Sequence, residues 1–111
     1  MWLFLSINPL KPGHTLLVPR IEVDHWLDLD AGEWRHLTEV SQRLGSALQD
    51  AYDPVKVGMM LAGLEVPHVH VHVVPIWDVH DLDFAKADPD PGQDALAAEA
   101  DKVRTAVEAL R

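Results

Sequence analysis

His68-Val69-His70-Val71-His72-Val73-Val74 alternates an imidazole with a branched apolar side chain. Strand side chains change face at every residue, so on a strand His68, His70 and His72 share one face. Val69, Val71 and Val73 share the other and are suited to a core. The sheet then carries imidazoles in a row on the surface opposite that core. Three of the seven histidines of the chain fall in this stretch, a density that composition alone does not explain. Histidine titrates near neutral pH and serves as nucleophile, acid, base or metal ligand.

Three readings of the row follow from the residues. The imidazoles could be the polar face of a half-exposed strand, although Ser, Thr or Lys would serve that purpose equally well. They could bind a metal, because two histidines two apart on a strand face reach one ion and His-x-His is a zinc pattern. A third ligand would then come from His14, His80 or a carboxylate. The last reading is nucleophilic attack at phosphorus. It requires one imidazole with a free attacking nitrogen, its other nitrogen held by an acceptor such as a backbone carbonyl. Neighbouring imidazoles would donate to the phosphate oxygens as charge develops.

The rest of the chain limits these choices. Its 111 residues form one domain by length. With 48% hydrophobic and 24% charged residues it reads as an ordinary globular chain. No apolar run approaches the roughly 20 residues of a membrane span. No leader pattern is evident at Met1-Trp2-Leu3-Phe4-Leu5, and a cytoplasmic location is the expectation. The sequence has no cysteine, which removes disulfides, thiolate catalysis and cysteine zinc sites. A net charge of −9 argues against a nucleic-acid groove but leaves room for a small phosphorylated ligand held by local donors.

Periodicity and punctuation place the elements. Leu3 to Ile7 and Thr15 to Val18 read as strands joined through a type II turn at Pro12-Gly13. Asp30 to Tyr52 predicts a helix, with Trp34, Leu37, Val40, Leu44, Ala47, Leu48 and Ala51 on one stripe. Asp30 and Glu33 form the opening cap, Gly45 weakens the middle, and Asp53-Pro54 ends it. Val55 to Ala62 predicts a buried strand. The histidine strand follows a loop and is stopped by Pro75. Asp78 to Gly92 reads as an irregular, solvated acidic arm. A last helix over about Asp94 to Leu110 carries Leu96, Ala100, Val103, Val107 and Leu110 on one stripe. The fold class expected is α/β in the α+β sense. Two layers are expected: an antiparallel sheet, and on one face of it one long helix and a C-terminal helix.

The stretch 68–74 resembles the His-φ-His-φ-His-φ-φ motif of the histidine triad (HIT) family, where φ is apolar. Phe4-Leu5-Ser6-Ile7-Asn8-Pro9 with Pro12-Gly13-His14-Thr15-Leu16-Leu17-Val18-Pro19 looks like that family's first block. Ala62-Gly63-Leu64-Glu65-Val66-Pro67-His68 looks like the run that enters the triad in short bacterial members. The resemblance covers about residues 2–77. It implies a catalytic core over 1–77, with 78–111 an acidic arm and terminal helix of the same domain.

The resemblance also implies roles. His70 would be the nucleophile toward the α-phosphorus of a nucleotide, with the His68 carbonyl holding its far nitrogen. His72 would donate to the phosphate oxygens, and His14 would orient the triad from beside it. The implied activity is hydrolysis or transfer on a nucleoside phosphoramidate or related nucleotide conjugate, through a nucleotidyl-histidine intermediate. No cofactor and no metal are needed for the attack. The implied partners are the nucleotide itself and a second copy of the chain, in a homodimer that joins the long-helix sides and extends the sheet.

Three departures from the family pattern bear on this. Ser6 stands where an aspartate or asparagine contacts ribose hydroxyls. Leu64 stands where many members carry glutamine near the bridging oxygen, and Glu65 beside it is a substitute acid or a solvated loop residue. Family members carry a further helix and strand before the first block, a segment not present in this sequence. These departures keep open a catalytically weak nucleotide-binding protein, and the His-x-His pair keeps open a zinc-dependent hydrolase.

Overall fold

A computed structural model describes residues 1–64 and 66–109 of the chain. Four strands and two helices follow the order strand, strand, helix, strand, strand, helix. They are β1 (Trp2–Leu5), β2 (Thr15–Val18), α1 (Ala31–Tyr52), β3 (Lys56–Met60), β4 (Val71–Ile76) and α2 (Gln93–Glu108). All pairings are antiparallel and the spatial order is β1-β2-β4-β3. This is the α+β arrangement that the element pattern predicts.

The core lies between the sheet and α1. Leu17 of β2, Val71 and Val73 of β4, and Val69 just before it meet Leu37, Leu44 and Leu48 of α1, with Val103 of α2 closing one end. Each fully buried aliphatic side chain contributes about 1.5–3 kcal/mol relative to exposure, so this cluster fixes the register of β4. On β4, Leu16 and Met60 flank His72 as its cross-strand partners.

The helix begins where the sequence predicts. The Asp30 carboxylate accepts the Glu33 N–H at 2.8 Å. It ends at Asp53, whose φ of 48° is left-handed and whose N–H donates to the Gln49 carbonyl. Buried Ser41 satisfies its hydroxyl on the Leu37 carbonyl, 2.7 Å away.

Five expectations need correction. β4 starts at Val71, so His68 and His70 precede the strand. There the Val69 N–H donates to the Val23 carbonyl rather than to a strand. Pro75 does not stop β4 but lies within it, opposite Val57. β2 pairs with β4 only over Val71–Val73, so the far side of Pro75 needs no N–H donor. β3 is not a buried strand: Lys56 and Met59 are exposed, because it lies at the sheet edge. The acidic arm is not irregular throughout. It forms 3₁₀ turns at Val79–Leu82 and Phe84–Lys86, capped by Asp78 and Asp83, with Asp81 completing the first cap. β1 also ends at Leu5, two residues before the predicted limit.

Several tryptophans and histidines outside the cleft are placed as follows. Trp26 packs against Trp34 of α1, ring centroids 5.1 Å apart. Trp77 is exposed and lies beneath the Lys11 ammonium, 5.8 Å from its centroid. His36 and His80 are exposed. Among the described residues no helix is long and apolar enough to cross a membrane.

Candidate active site

The turn between β1 and β2 supplies the first imidazole. The Lys11 carbonyl accepts the His14 N–H at 3.1 Å, and Gly13 takes φ +91°, as the predicted type II turn requires. His14 is thereby driven into the interior, where it is 1% exposed. Its Nδ1 accepts the Leu10 N–H at 3.0 Å. Since a backbone N–H can only donate, a neutral His14 carries its proton on Nε2. That Nε2–H donates to Nδ1 of His72, 2.9 Å away. Nδ1 of His72 is therefore an acceptor, and a neutral His72 carries its own proton on Nε2.

The same logic fixes the other two rings. Nε2 of His68 lies 2.8 Å from the Pro19 carbonyl, and Nδ1 of His70 lies 2.9 Å from the His68 carbonyl. Carbonyls only accept, so His68 is protonated on Nε2 and His70 on Nδ1. A neutral His70 then keeps its lone pair on Nε2. The chain thus presents one imidazole lone pair beside one imidazole N–H donor, with the His70 and His72 rings 5.0 Å apart, edge to face.

Burial reinforces this pattern. Desolvation, and then the neighbouring His72, lower the pKa of His14 to about 4. Desolvation, and then the neighbouring His70, lower that of His72 to about 4 as well. Near neutral pH both rings are neutral, which keeps His72 a donor of defined direction rather than a cation.

His70, His72 and His14 line one open cleft of about 430 Å³. Ser6 and Asn8 form one wall. The Ser6 N–H donates to the His14 carbonyl and its Oγ accepts the Asn8 N–H at 3.3 Å. Leu64 lines the cleft from the loop before the triad and is 94% exposed. Glu65 lies outside the described residues. His68 does not line the cleft; its ring faces Pro19 and its carbonyl serves His70.

Three cleft residues were not legible in the sequence pattern. Phe84 sets its ring edge to face against His72, centroids 5.0 Å apart, and Ala87 lies beside it. Their only sequence signal is an aromatic inside an otherwise acidic arm. Asn8 is the other surprise: its amide donates to the Asp88 and Pro89 carbonyls, 3.1 Å each, and ties the arm across the cleft.

The zinc reading needs a third ligand near the His-x-His pair. His14 spends both nitrogens on Leu10 and His72, and the Asp78 carboxylate accepts the backbone N–H of His80. Among the described residues no three histidine or carboxylate side chains are grouped to hold an ion.

The chain is similar to known proteins of one family. The HIT domain pattern matches residues 1–79. The chain is 34% identical over 76 residues to the bifunctional bis(5'-adenosyl)-triphosphatase/adenylylsulfatase FHIT of Arabidopsis thaliana, covering 64% of this chain and 42% of that protein. It is 33% identical over 85 residues to the asymmetrical bis(5'-nucleosyl)-tetraphosphatase of Schizosaccharomyces pombe, covering 65% and 42%. An uncharacterized HIT-like protein of Methanocaldococcus jannaschii is 34% identical over 82 residues, covering 68% and 61%. The chain therefore spans roughly two-fifths to three-fifths of these relatives. The crystal structure of a hypothetical histidine triad nucleotide-binding protein from Sulfolobus tokodaii superposes with a TM-score of 0.84 at 22% identity, covering 97% of this chain and 78% of that one. A zinc-bound histidine triad protein from Mycobacterium smegmatis gives 0.79 at 24% identity, covering 97% and 78%. The chain belongs to the HIT family.

Proposed function

We propose that this protein is a nucleotide hydrolase or transferase that acts at the α-phosphate of a nucleoside phosphoramidate or related conjugate. The observation that carries the reading is the pairing of a lone pair on Nε2 of His70 with a directed N–H on His72 in one cleft. In the first step Nε2 of His70 forms a bond to phosphorus and the bond to the leaving group breaks. The leaving group departs with its electron pair and takes a proton from solvent. In the second step water attacks phosphorus and gives a proton back to solvent, while the P–N bond breaks and its electron pair restores the imidazole. The His72 N–H faces the phosphate oxygens, where negative charge builds up in both steps. His14 acts through His72, and Ser6 faces the ribose. Leu64 flanks the leaving group.

The arm and terminal helix belong to the same domain as the core in this reading, since Phe84 contacts His72 and Asn8 binds the arm. A homodimer and a cytoplasmic setting complete it. The edge of β3, unpaired among the described residues and with Met59 exposed, suits a dimer contact that extends the sheet. Light scattering on a gel-filtration peak reads the oligomeric state.

The deciding experiment is AMP release from adenosine 5′-phosphoramidate in EDTA, for the wild type and His70→Ala. Turnover that survives EDTA and is lost in His70→Ala supports the reading. Turnover abolished by EDTA and restored by zinc supports the metal hydrolase instead. Binding of AMP without turnover supports a nucleotide-binding protein.

A further inference from the structure

We infer that Tyr52 is a positioning residue: its ring clamps the turn at Gly13 and thereby sets His14 behind His72. Tyr52 is the last residue of α1, far in sequence from both histidines. Its ring lies directly over Gly13. A methyl group added to Gly13 would come within 2.5 Å of Tyr52 Cε2 and 2.7 Å of Cζ. The bare Cα is thus needed twice, for the left-handed backbone and for the ring that covers it. The next residue is His14, and the Gly13 carbonyl accepts the Thr15 hydroxyl at 2.8 Å. The turn is consequently held from above by a flat ring and from behind by its own following strand.

The ring is itself held from α2. The Tyr52 hydroxyl donates to the Glu99 carboxylate, and the Lys102 ammonium stands 4.2 Å from the ring centroid. Glu99 and Lys102 are one turn apart on α2, so one helix face grips the ring at its edge and on its face. An aliphatic side chain would fill the space over Gly13 but could not be tied to α2 at its far end.

A continuous set of contacts runs from α2 through Tyr52 and the turn to His14, and from His14 Nε2–H to His72. His14 has no rotational slack, because its other nitrogen is fixed to the Leu10 N–H. A shift of the turn therefore moves the His14–His72 hydrogen bond directly. α2 supports the site through this route although it does not line the cleft. The inference deepens the proposed nucleotidyl-transfer reading for its effect on rate, while its effect on the imidazoles needs no substrate.

The experiment compares wild type, Tyr52→Phe, Tyr52→Ala and the pair Glu99→Ala with Lys102→Ala. Imidazole ¹⁵N spectra near neutral pH report the protonated and lone-pair nitrogen of each ring. Wild type should show one defined tautomer for His14 and for His72, and Tyr52→Phe, which loses the Glu99 bond but keeps the ring and its Lys102 contact, should change no more than the Glu99/Lys102 pair. Tyr52→Ala should show averaged tautomers for both, and the Glu99/Lys102 pair a smaller change in the same direction. Turnover of adenosine 5′-phosphoramidate should fall about tenfold or more in kcat for Tyr52→Ala, with KM within about twofold, as expected when positioning is lost and binding kept. Should Tyr52→Ala fail to fold, the Glu99/Lys102 pair decides alone, because it leaves the ring in place. Unmoved His14 and His72 signals in every folded variant overturn the inference. A wild type with no turnover overturns the enzymatic reading instead, and the spectra still decide the role of Tyr52.

Discussion

Asn8 and Asp88 bind each other's neighbourhood from both directions. The Asn8 amide donates to the Asp88 carbonyl at 3.1 Å, and the Asp88 N–H donates to the Pro9 carbonyl at 2.9 Å. With the Pro89 carbonyl also on Asn8, three hydrogen bonds fasten the arm to the β1–β2 turn. A typical hydrogen bond contributes about 0.5–1.5 kcal/mol net. Asn8→Ala should lower stability by about 1–2 kcal/mol and speed limited proteolysis between Leu82 and Gln93. Amide exchange at Asp88 would rise to the rate of an open loop. Unchanged cleavage and exchange would show that Phe84, not Asn8, holds the arm.

Acid should weaken the fold through His14 and His72. Both pKa values are depressed in the folded state, to about 4, so the unfolded chain binds protons first as pH falls. The stabilisation is complete above about pH 6.5 and is lost progressively on the way down to about pH 4. The two rings share one hydrogen bond and solvent reaches His72, so the combined loss is on the order of 2 kcal/mol. Urea unfolding at pH 7 and pH 4.5 measures it. His14→Asn should flatten the difference between the two pH values; an equal difference in the variant would assign the acid sensitivity elsewhere.

Gly45 is an opportunity for stabilisation. It lies inside α1, and a methyl group there would meet only Val57 Cγ1, at an ordinary 3.7 Å. Gly45→Ala should stabilise by about 0.5–1 kcal/mol, which raises Tm by a few degrees. A lower Tm would mean that β3 cannot accept the added contact.

Leu64 is the place to test the leaving group. It is almost wholly exposed at the cleft, so Leu64→Gln should leave Tm unchanged. A donor there adds one hydrogen bond to a bridging oxygen. On substrates with such an oxygen, kcat/KM should rise about fivefold, the equivalent of roughly 1 kcal/mol. Phosphoramidate turnover should change less. Equal changes on both classes would place the leaving group away from this loop.

The periodic parts of the fold were readable from sequence because burial repeats in them. The α1 stripe at Leu37, Leu44 and Leu48 and the valines at 69, 71 and 73 all enter the core as their spacing requires. The Pro12-Gly13 turn was readable because glycine signals its backbone directly. The bounds of β4 were not. Whether a strand begins at His68 or Val71, and whether Pro75 ends it, depends on which neighbours are paired there, and that is a tertiary fact. The arm was misread because aspartate serves equally as a solvated residue and as a cap. In the site, the histidines announced themselves by spacing. Phe84, Asn8 and Tyr52 did not, since each reaches the cleft or its support through a contact distant in sequence.

The two faces of β4 also act as a form of quality control. His72 and its flanking Val71 and Val73 alternate, so a slip of one residue against β2 would drive the imidazole into the core and turn the valines toward the cleft. Such a misfold would bury an unpartnered polar ring and lose the packing that holds the sheet to α1. It would be too unstable to persist. The register that packs the valines against α1 is therefore the same one that turns His72 toward the cleft.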